Sequence, residues 1–310
     1  MRTTLAELRK LLDEELVSDR SSLPISRRFY VQDGETPDLL WHYTSAEGLL
    51  GIVSGGNFRA TDVFFFNDLS EVHYALGLIE NALPEVRSAL DPGPATQVLD
   101  RVIGLIGAFR QSPEFPYRMH TVCFCEEPDL LSQWRGYGAL GGGFALGFSL
   151  KAMLEYIRGT ELAVSRVWYD PVDQSQLVRE TVACACKTLL RVSAKVEHRR
   201  DIRDLARQAG SYAFQILCQL AVALKSPAFR EEREWRVVDY VPMDRAVSFV
   251  VRRGIVVPYI PLSLPLWALQ RVQIGPTLEP HSALRSVKEV LRGHCLDHVT
   301  VDFSAIPLRG

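Results

Sequence analysis

Leucines at 5, 8, 12 and 16 recur at the interval of a helical face, which predicts an amphipathic helix over 4–17. The apolar and aromatic run DLLWHYT (38–44) predicts a buried strand. Thr44 stands three residues before Glu47, the capping-box spacing, and the pattern turns helical through LLGIV until Gly55 and Gly56 stop it. FRATDVFFF (58–66) reads as extended, Asn67 or Asp68 as the cap of a helix over about 69–90, and a further helix covers about 96–110. A strand follows at 118–127, a short helix at DLLSQWRGYG, a strand at FALGFS, a helix at SLKAMLEYI and a strand at 161–170. The pattern is helical throughout from 172 to about 225. Strands are expected at 232–242, 246–251, 255–260, 270–274 and 298–303, with a helix at about 281–293 before the last. This order is α+β and not strict βαβ alternation. No long polar linker interrupts it, so the expectation is one domain over 1–310, with a helix and loop at 1–36 and helical insertions at 69–110 and 172–225.

Composition narrows the classes. Apolar residues make up 47% of the chain and charged ones 23%, with 35 basic against 37 acidic side chains. That excludes a disordered polyelectrolyte. No uncharged apolar run reaches the roughly 18 residues of a membrane span, and the N-terminus lacks the apolar core of a signal peptide, so a cytoplasmic protein with no membrane partner is expected. The net charge of −2 removes the simplest sign of a nucleic-acid binder, a strongly basic whole. The six cysteines include two Cys-x-Cys pairs, Cys123/Cys125 and Cys184/Cys186. That spacing is too short for a structural zinc site, so buried thiols and no metal are expected.

Four constellations carry candidate chemistry. His42 and Thr44 share one face of the early strand and Tyr43 the other; they read as a ligand shelf or as satisfied core side chains. Phe66-Asn67-Asp68-Leu69-Ser70-Glu71 reads as part of a site or as a helix cap with a first-turn carboxylate. Trp134 and Tyr137, three apart on a short helix, form an aromatic wall or part of the core. Beside them, Gly141 to Gly143 fit neither a Walker loop nor the dinucleotide fingerprint. Glu232 and Glu234 at the start of a strand would both face one side, as a carboxylate pair for catalysis or as a solvated charge run neutralised by Arg233 and Arg236.

Taken in order, W-H-Y-T-S, F-N-D-x-x-E, C-F-C-E-x-x-D with W-x-x-Y and G-F-S, then F-x-x-E-x-E-W-R resemble a bacterial family of unassigned function in the ADP-ribosyltransferase superfamily. The resemblance spans about 41 to 240. It implies a split, curved β-core around NAD, used as a substrate. His42 matches the superfamily's first motif and Glu234 its last, while Glu232 completes a Glu-x-Glu like that of arginine-modifying members. The middle motif has no clean counterpart, and Trp134 and Tyr137 are the candidates for the nicotinamide wall. The resemblance gives Glu234 the oxocarbenium-like state, Glu232 the incoming nucleophile, and His42, Tyr43 and Thr44 the cofactor. Asn67, Asp68, Glu71 and Arg236 would shape the site or face the acceptor.

The implied activity is transfer of ADP-ribose from NAD to a protein or nucleic acid, as a toxin or phage-defence effector. An NAD glycohydrolase and a non-catalytic binding module of the same fold are the other two readings. The stretch Lys195–Arg207 is basic and could approach a nucleic-acid acceptor, but Glu197, Asp201 and Asp204 within it favour a salt-bridged solvated face.

Overall fold

The structure is a computed structural model describing residues 4–20, 29–30, 36–65, 70–111, 117–137, 143–196, 198–252 and 254–307. The chain is mixed α+β and forms two compact units, each assembled from three stretches. The first takes residues 1–30, 68–116 and 168–227, the second 31–67, 117–167 and 228–310. The helical segments expected at 69–110 and 172–225 therefore fall in one unit, together with the N-terminal helix.

The first unit is helical: α1 (Leu5–Arg20), α3 (Ser70–Ser88), α4 (Pro94–Gln111), α7 (Pro171–Ser193) and α8 (Arg199–Ala221), with a two-residue strand β1 (Phe29–Tyr30). Leu8, Leu12 and Leu16 of α1 are buried, as their spacing requires. The span 172–225 is not helical throughout but breaks at 194–198. Asp170 starts α7 by accepting from the Val172 and Asp173 amides, with Pro171 at the first helical position, where its missing N–H costs nothing. Helices α4 and α8 cross closely at Gly210, where a Cβ would stand 2.6 Å from Arg101 Cβ and 2.8 Å from the Val98 carbonyl. On the outer face Asp204 meets Arg207 at 2.8 Å and Arg9 at 3.9 Å, so that surface is ion-paired.

The second unit is built on a mixed sheet. Strand β2 (Leu39–Thr44) runs antiparallel to β5 (Phe144–Ser149), which neighbours β10 (Leu269–Ile274) and then, in parallel, β11 (Thr300–Phe303). Strand β4 (Tyr117–Cys125) pairs along its length with β7 (Glu234–Pro242), and β6 (Ala163–Arg166) lies beyond β7. The other edge of β4 is forked. It meets β2 at Trp41↔Cys125, and β3 (Asn57–Asp62) at Thr61↔Thr121 and Asp62↔His120. Beyond β3 lie β9 (Ile255–Ser263) and β8 (Ser248–Arg252). Four helices complete this unit: α2 (Ala46–Gly55), α5 (Leu131–Tyr137), α6 (Leu150–Ile157) and α9 (Pro280–Gly293).

The branch carrying β3 brings Phe58 against Phe124 and Phe148, with ring centroids 5.9 and 5.4 Å away, and this aromatic cluster fills one face beside the fork. The segment expected to be extended to 66 stops at Asp62 and becomes a 3₁₀ turn at Val63–Phe65, because the Asp62 carboxylate accepts from the Phe64 amide at 3.0 Å. The cap of α2 is Ser45 and not Thr44: Ser45 Oγ accepts from the Gly48 amide, while Thr44 remains in the strand. Gly56, with φ of +65°, ends that helix in the left-handed conformation that favours glycine.

Candidate functional site

The charged run before Trp235 does not continue the strand. Pro227–Glu232 form a 3₁₀ turn, Arg233 takes φ of +41°, and β7 begins only at Glu234. The expectation that Glu232 and Glu234 share one strand face is thereby corrected, since two-residue alternation holds only when both residues are extended. The strand partner of Glu234 in this respect is Arg236. Its Nε donates to one oxygen of Glu234 at 2.8 Å and its Nη2 to the other at 2.9 Å, a forked contact with 3% and 2% of the two residues exposed. Buried ion pairs of this kind add little net stability but are costly to break.

The strand register decides which expected residues meet. Trp41 lies opposite Cys125, and Cys125 opposite Glu234, so these three side chains project from one face. Tyr43 follows Trp41 on that face and His42 lies on the other. His42 and Glu234 are thus not brought to a common face.

His42 stands at the fork. Its Nδ1 is 2.9 Å from the Cys123 carbonyl, and since a carbonyl only accepts, Nδ1 carries the proton. Cys123 lies between the points where β2 and β3 meet β4, so the imidazole adds a hydrogen bond at the fork. The ring packs edge-on against Phe58 at 5.1 Å and beside Phe124 at 5.5 Å. Burial pushes its pKa down to about 4, with the Cys123 bond opposing and Arg252 assisting. A histidine whose folded value lies below its ordinary 6.5 stabilises the fold fully above pH 6.5 and loses that contribution as the pH falls through 4. Urea melts between pH 7 and 4 should show this loss, and His42→Phe should flatten the pH slope while being less stable at pH 7 by about 1 kcal/mol for the lost hydrogen bond.

On the opposite face, Tyr43 donates its hydroxyl to the Glu127 carbonyl at 2.9 Å and accepts from the Leu130 amide at 2.9 Å. Burial raises its pKa. Trp134 meets it edge-on at 4.8 Å, and the two sit in one apolar cluster with Trp41, Cys125 and Ala145. The indole Nε1 donates to Asp129 at 2.7 Å, and Asp129 also accepts from Ser304 Oγ at 2.6 Å and the Ala305 amide at 2.8 Å. Trp134 and Tyr43 are 5% and 3% exposed, so Trp134, one half of the expected wall, is core. The side chain of Tyr137 lies outside the described residues, as do Asn67 and Asp68. Thr44 is buried, and its Oγ1 packs so near Gly48 that a Cβ there would stand 1.8 Å away.

Glu71 belongs to the first unit, where its carboxylate lies 3.3 Å from Lys225 Nζ, both side chains being largely buried. In the same unit Gln174, fully buried, accepts from Tyr74 and donates to the Trp168 and Lys225 carbonyls.

Glu126 and Glu127, which follow Cys125 in the C-F-C-E motif, find partners that the sequence does not announce: Glu126 accepts from Trp235 Nε1 at 2.9 Å and pairs with Arg166 at 2.8 Å, while Glu127 pairs with Arg233 at 3.1 Å; these contacts fix the start of β7. One group escaped sequence reasoning altogether, a row across three strands, Asp62, His120 and Asp239, each directly opposite the next. Both ring nitrogens of His120 are buried without a partner; burial, then Arg118 and Arg245, push its pKa down to about 4. Burial raises both aspartates. Alternation along RMHTVCFC would have placed His120 on the same face as Phe124, but its neighbours come from distant strands.

A family model described as a protein of unknown function (DUF2971) matches residues 133–237, about a third of the chain, so a DUF2971 domain is present there. That stretch contains α5 from residue 133, then β5, α6, β6, α7, α8 and the first residues of β7, Glu234 and Arg236 among them, and it takes in parts of both compact units. No curated protein and no solved structure matches the chain. Among the described residues no helix is long and apolar enough to cross a membrane.

Proposed function

We propose that the protein binds NAD, breaks the bond between nicotinamide and ribose, and passes ADP-ribose to a protein or nucleic-acid acceptor, with Glu234 as the carboxylate at the sugar. The observation that carries this reading is the state of Glu234: a buried carboxylate gripped through both oxygens by Arg236. As the bond breaks, its electron pair leaves on the nicotinamide nitrogen and positive charge develops on the ribose. A fixed negative group in water-poor surroundings stabilises that charge without having to reorganise. The acceptor's nucleophile then bonds to the ribose carbon, and its proton passes to a base. Glu232, itself half-buried at the end of the largely exposed 3₁₀ turn before the strand, is the candidate base.

The forked edge of β4 further supports an ADP-ribosyltransferase-like core, since a split in the sheet is what such a core requires. Within this reading His42 pins the fork and does not touch the cofactor, and Trp134 and Tyr43 support the face from which Glu234 projects.

Incubation with NAD labelled in its adenylate half and a bacterial lysate tests the proposal. Label on a polymer is the expected result, and separate protease and nuclease digestion shows which polymer carries it. Free ADP-ribose without labelled polymer makes water the acceptor. Undiminished NAD in the presence of lysate overturns the reading and leaves a binding module.

A further inference from the structure

We propose that strand β8 is a dimer interface, pairing antiparallel with β8 of a second copy about a two-fold axis through Val250. This rests on the hairpin β8–β9 alone and is independent of any reaction.

Among the described residues β8 pairs only with β9, and no described strand lies along its other edge. That edge is apolar: Phe249 is 63% and Val251 72% exposed, and Val256, opposite Val251, is 58% exposed. Together they form one stripe on one face of the hairpin. Soluble proteins ordinarily blunt an exposed edge strand with charge, proline or a bulge. Within β8 only Arg252, at its end, does so.

The hairpin geometry determines which backbone groups face outward. Residues 253 and 254 alone join Arg252 to its partner Ile255, and Gly254 has φ of +78°. In a two-residue hairpin the closing pair is hydrogen-bonded, and bonded and non-bonded pairs then alternate. Val251↔Val256 and Phe249↔Pro258 are therefore non-bonded pairs, in keeping with the absence of an N–H on Pro258. The N–H and C=O groups of Phe249 and Val251 consequently point to the open edge.

A second copy satisfies them. With the axis through Val250, Phe249 of each copy faces Val251 of the other, outward-pointing residues meet, and four main-chain hydrogen bonds close the seam. The same register sets an aromatic ring beside a β-branched side chain twice, a favourable cross-strand pair. It also keeps like charges apart: each Arg252 faces the uncharged Ser248 of the other copy. The two arginines stand about 14 Å apart, at roughly 3.4 Å per residue, beyond the ~8 Å screening length at physiological salt. A parallel pairing would set them side by side. An isologous two-fold contact is the commonest closed form of self-association.

Three measurements on the full chain test this. Sedimentation at micromolar concentration should show a dimer; a monomer overturns the proposal. Val251→Pro removes an outward N–H that the hairpin does not use, so the fold should persist by circular dichroism while the dissociation constant rises at least tenfold. A folded Val251→Pro protein that dimerises as before overturns it. Val250→Cys, in a Cys295→Ser background because Cys295 is exposed, places two thiols across the axis with Cα atoms about 4.5 Å apart, within disulfide range. Mild oxidation should cross-link it, whereas Phe58→Cys, buried behind the sheet, should stay uncross-linked. Failure of Val250→Cys to cross-link overturns the register.

Discussion

Replacing Arg236 with alanine should lower the stability of the chain by about 3–5 kcal/mol, the cost of leaving a buried charge without its partner. Glu234 would lose both of its donors from Arg236 while remaining enclosed in the sheet. Lysine should rescue only part of the loss, because an ammonium cannot reproduce the planar fork. Replacing both residues with leucine should be far milder than either single change, since desolvating two charges offsets most of what their attraction returns. Urea melts followed by tryptophan fluorescence check this: Trp235 lies between the two residues and is itself 1% exposed. Additive losses in the double-mutant cycle would mean that the pair is not coupled as its geometry indicates.

On the proposed reaction, changing Glu234 to glutamine should reduce cleavage of NAD by about a thousandfold, or roughly 4 kcal/mol of transition-state stabilisation at 1.36 kcal/mol per decade. Glutamine keeps the shape and one acceptor oxygen but removes the negative charge, so an oxocarbenium-like state loses its counter-ion. The same change weakens the contact with Arg236, so the assay belongs at a temperature where melting shows the variant folded. A fall in kcat with KM little changed is the expected pattern, because the charge matters chiefly once the bond is breaking. Full activity in folded Glu234→Gln protein would remove Glu234 from the reaction.

How much of this was legible in the sequence depends on how local each determinant is. The strand at Leu39–Thr44, the helix after it and the stop at Gly55–Gly56 were readable because periodicity and a left-handed glycine act within a few residues. The charged run REEREWR has no apolar marker before Trp235, so nothing in it announced that Glu232 lies in a 3₁₀ turn and only Glu234 in the strand. The break between α7 and α8 falls in AKVEH, with neither glycine nor proline to mark it. Non-local partners were out of reach. The acceptor for His42 is a carbonyl 81 residues away, and that of Trp235 a carboxylate 109 residues away. Alternation could say that His42 and Tyr43 part company, but only strand register shows that Glu234 goes with Tyr43.

The two compact units interleave along the chain, each contributing three stretches. A cut at 67/68, 116/117 or 167/168 divides both, a cut at 30/31 or 227/228 divides one, and neither unit can be produced by itself as one uninterrupted fragment. The matched stretch 133–237, expressed alone, would carry β7's first residues without β4 or β2 beside them. On the ribosome the second unit must wait for its final stretch, from 228 onward, before β4 gains its longest neighbour. Distant pairings of this kind fold slowly, on the order of milliseconds to seconds. For much of synthesis the open edge of β4 has no lasting partner, so growth temperature and chaperone supply should govern the yield of native protein more than the stability of the finished fold does.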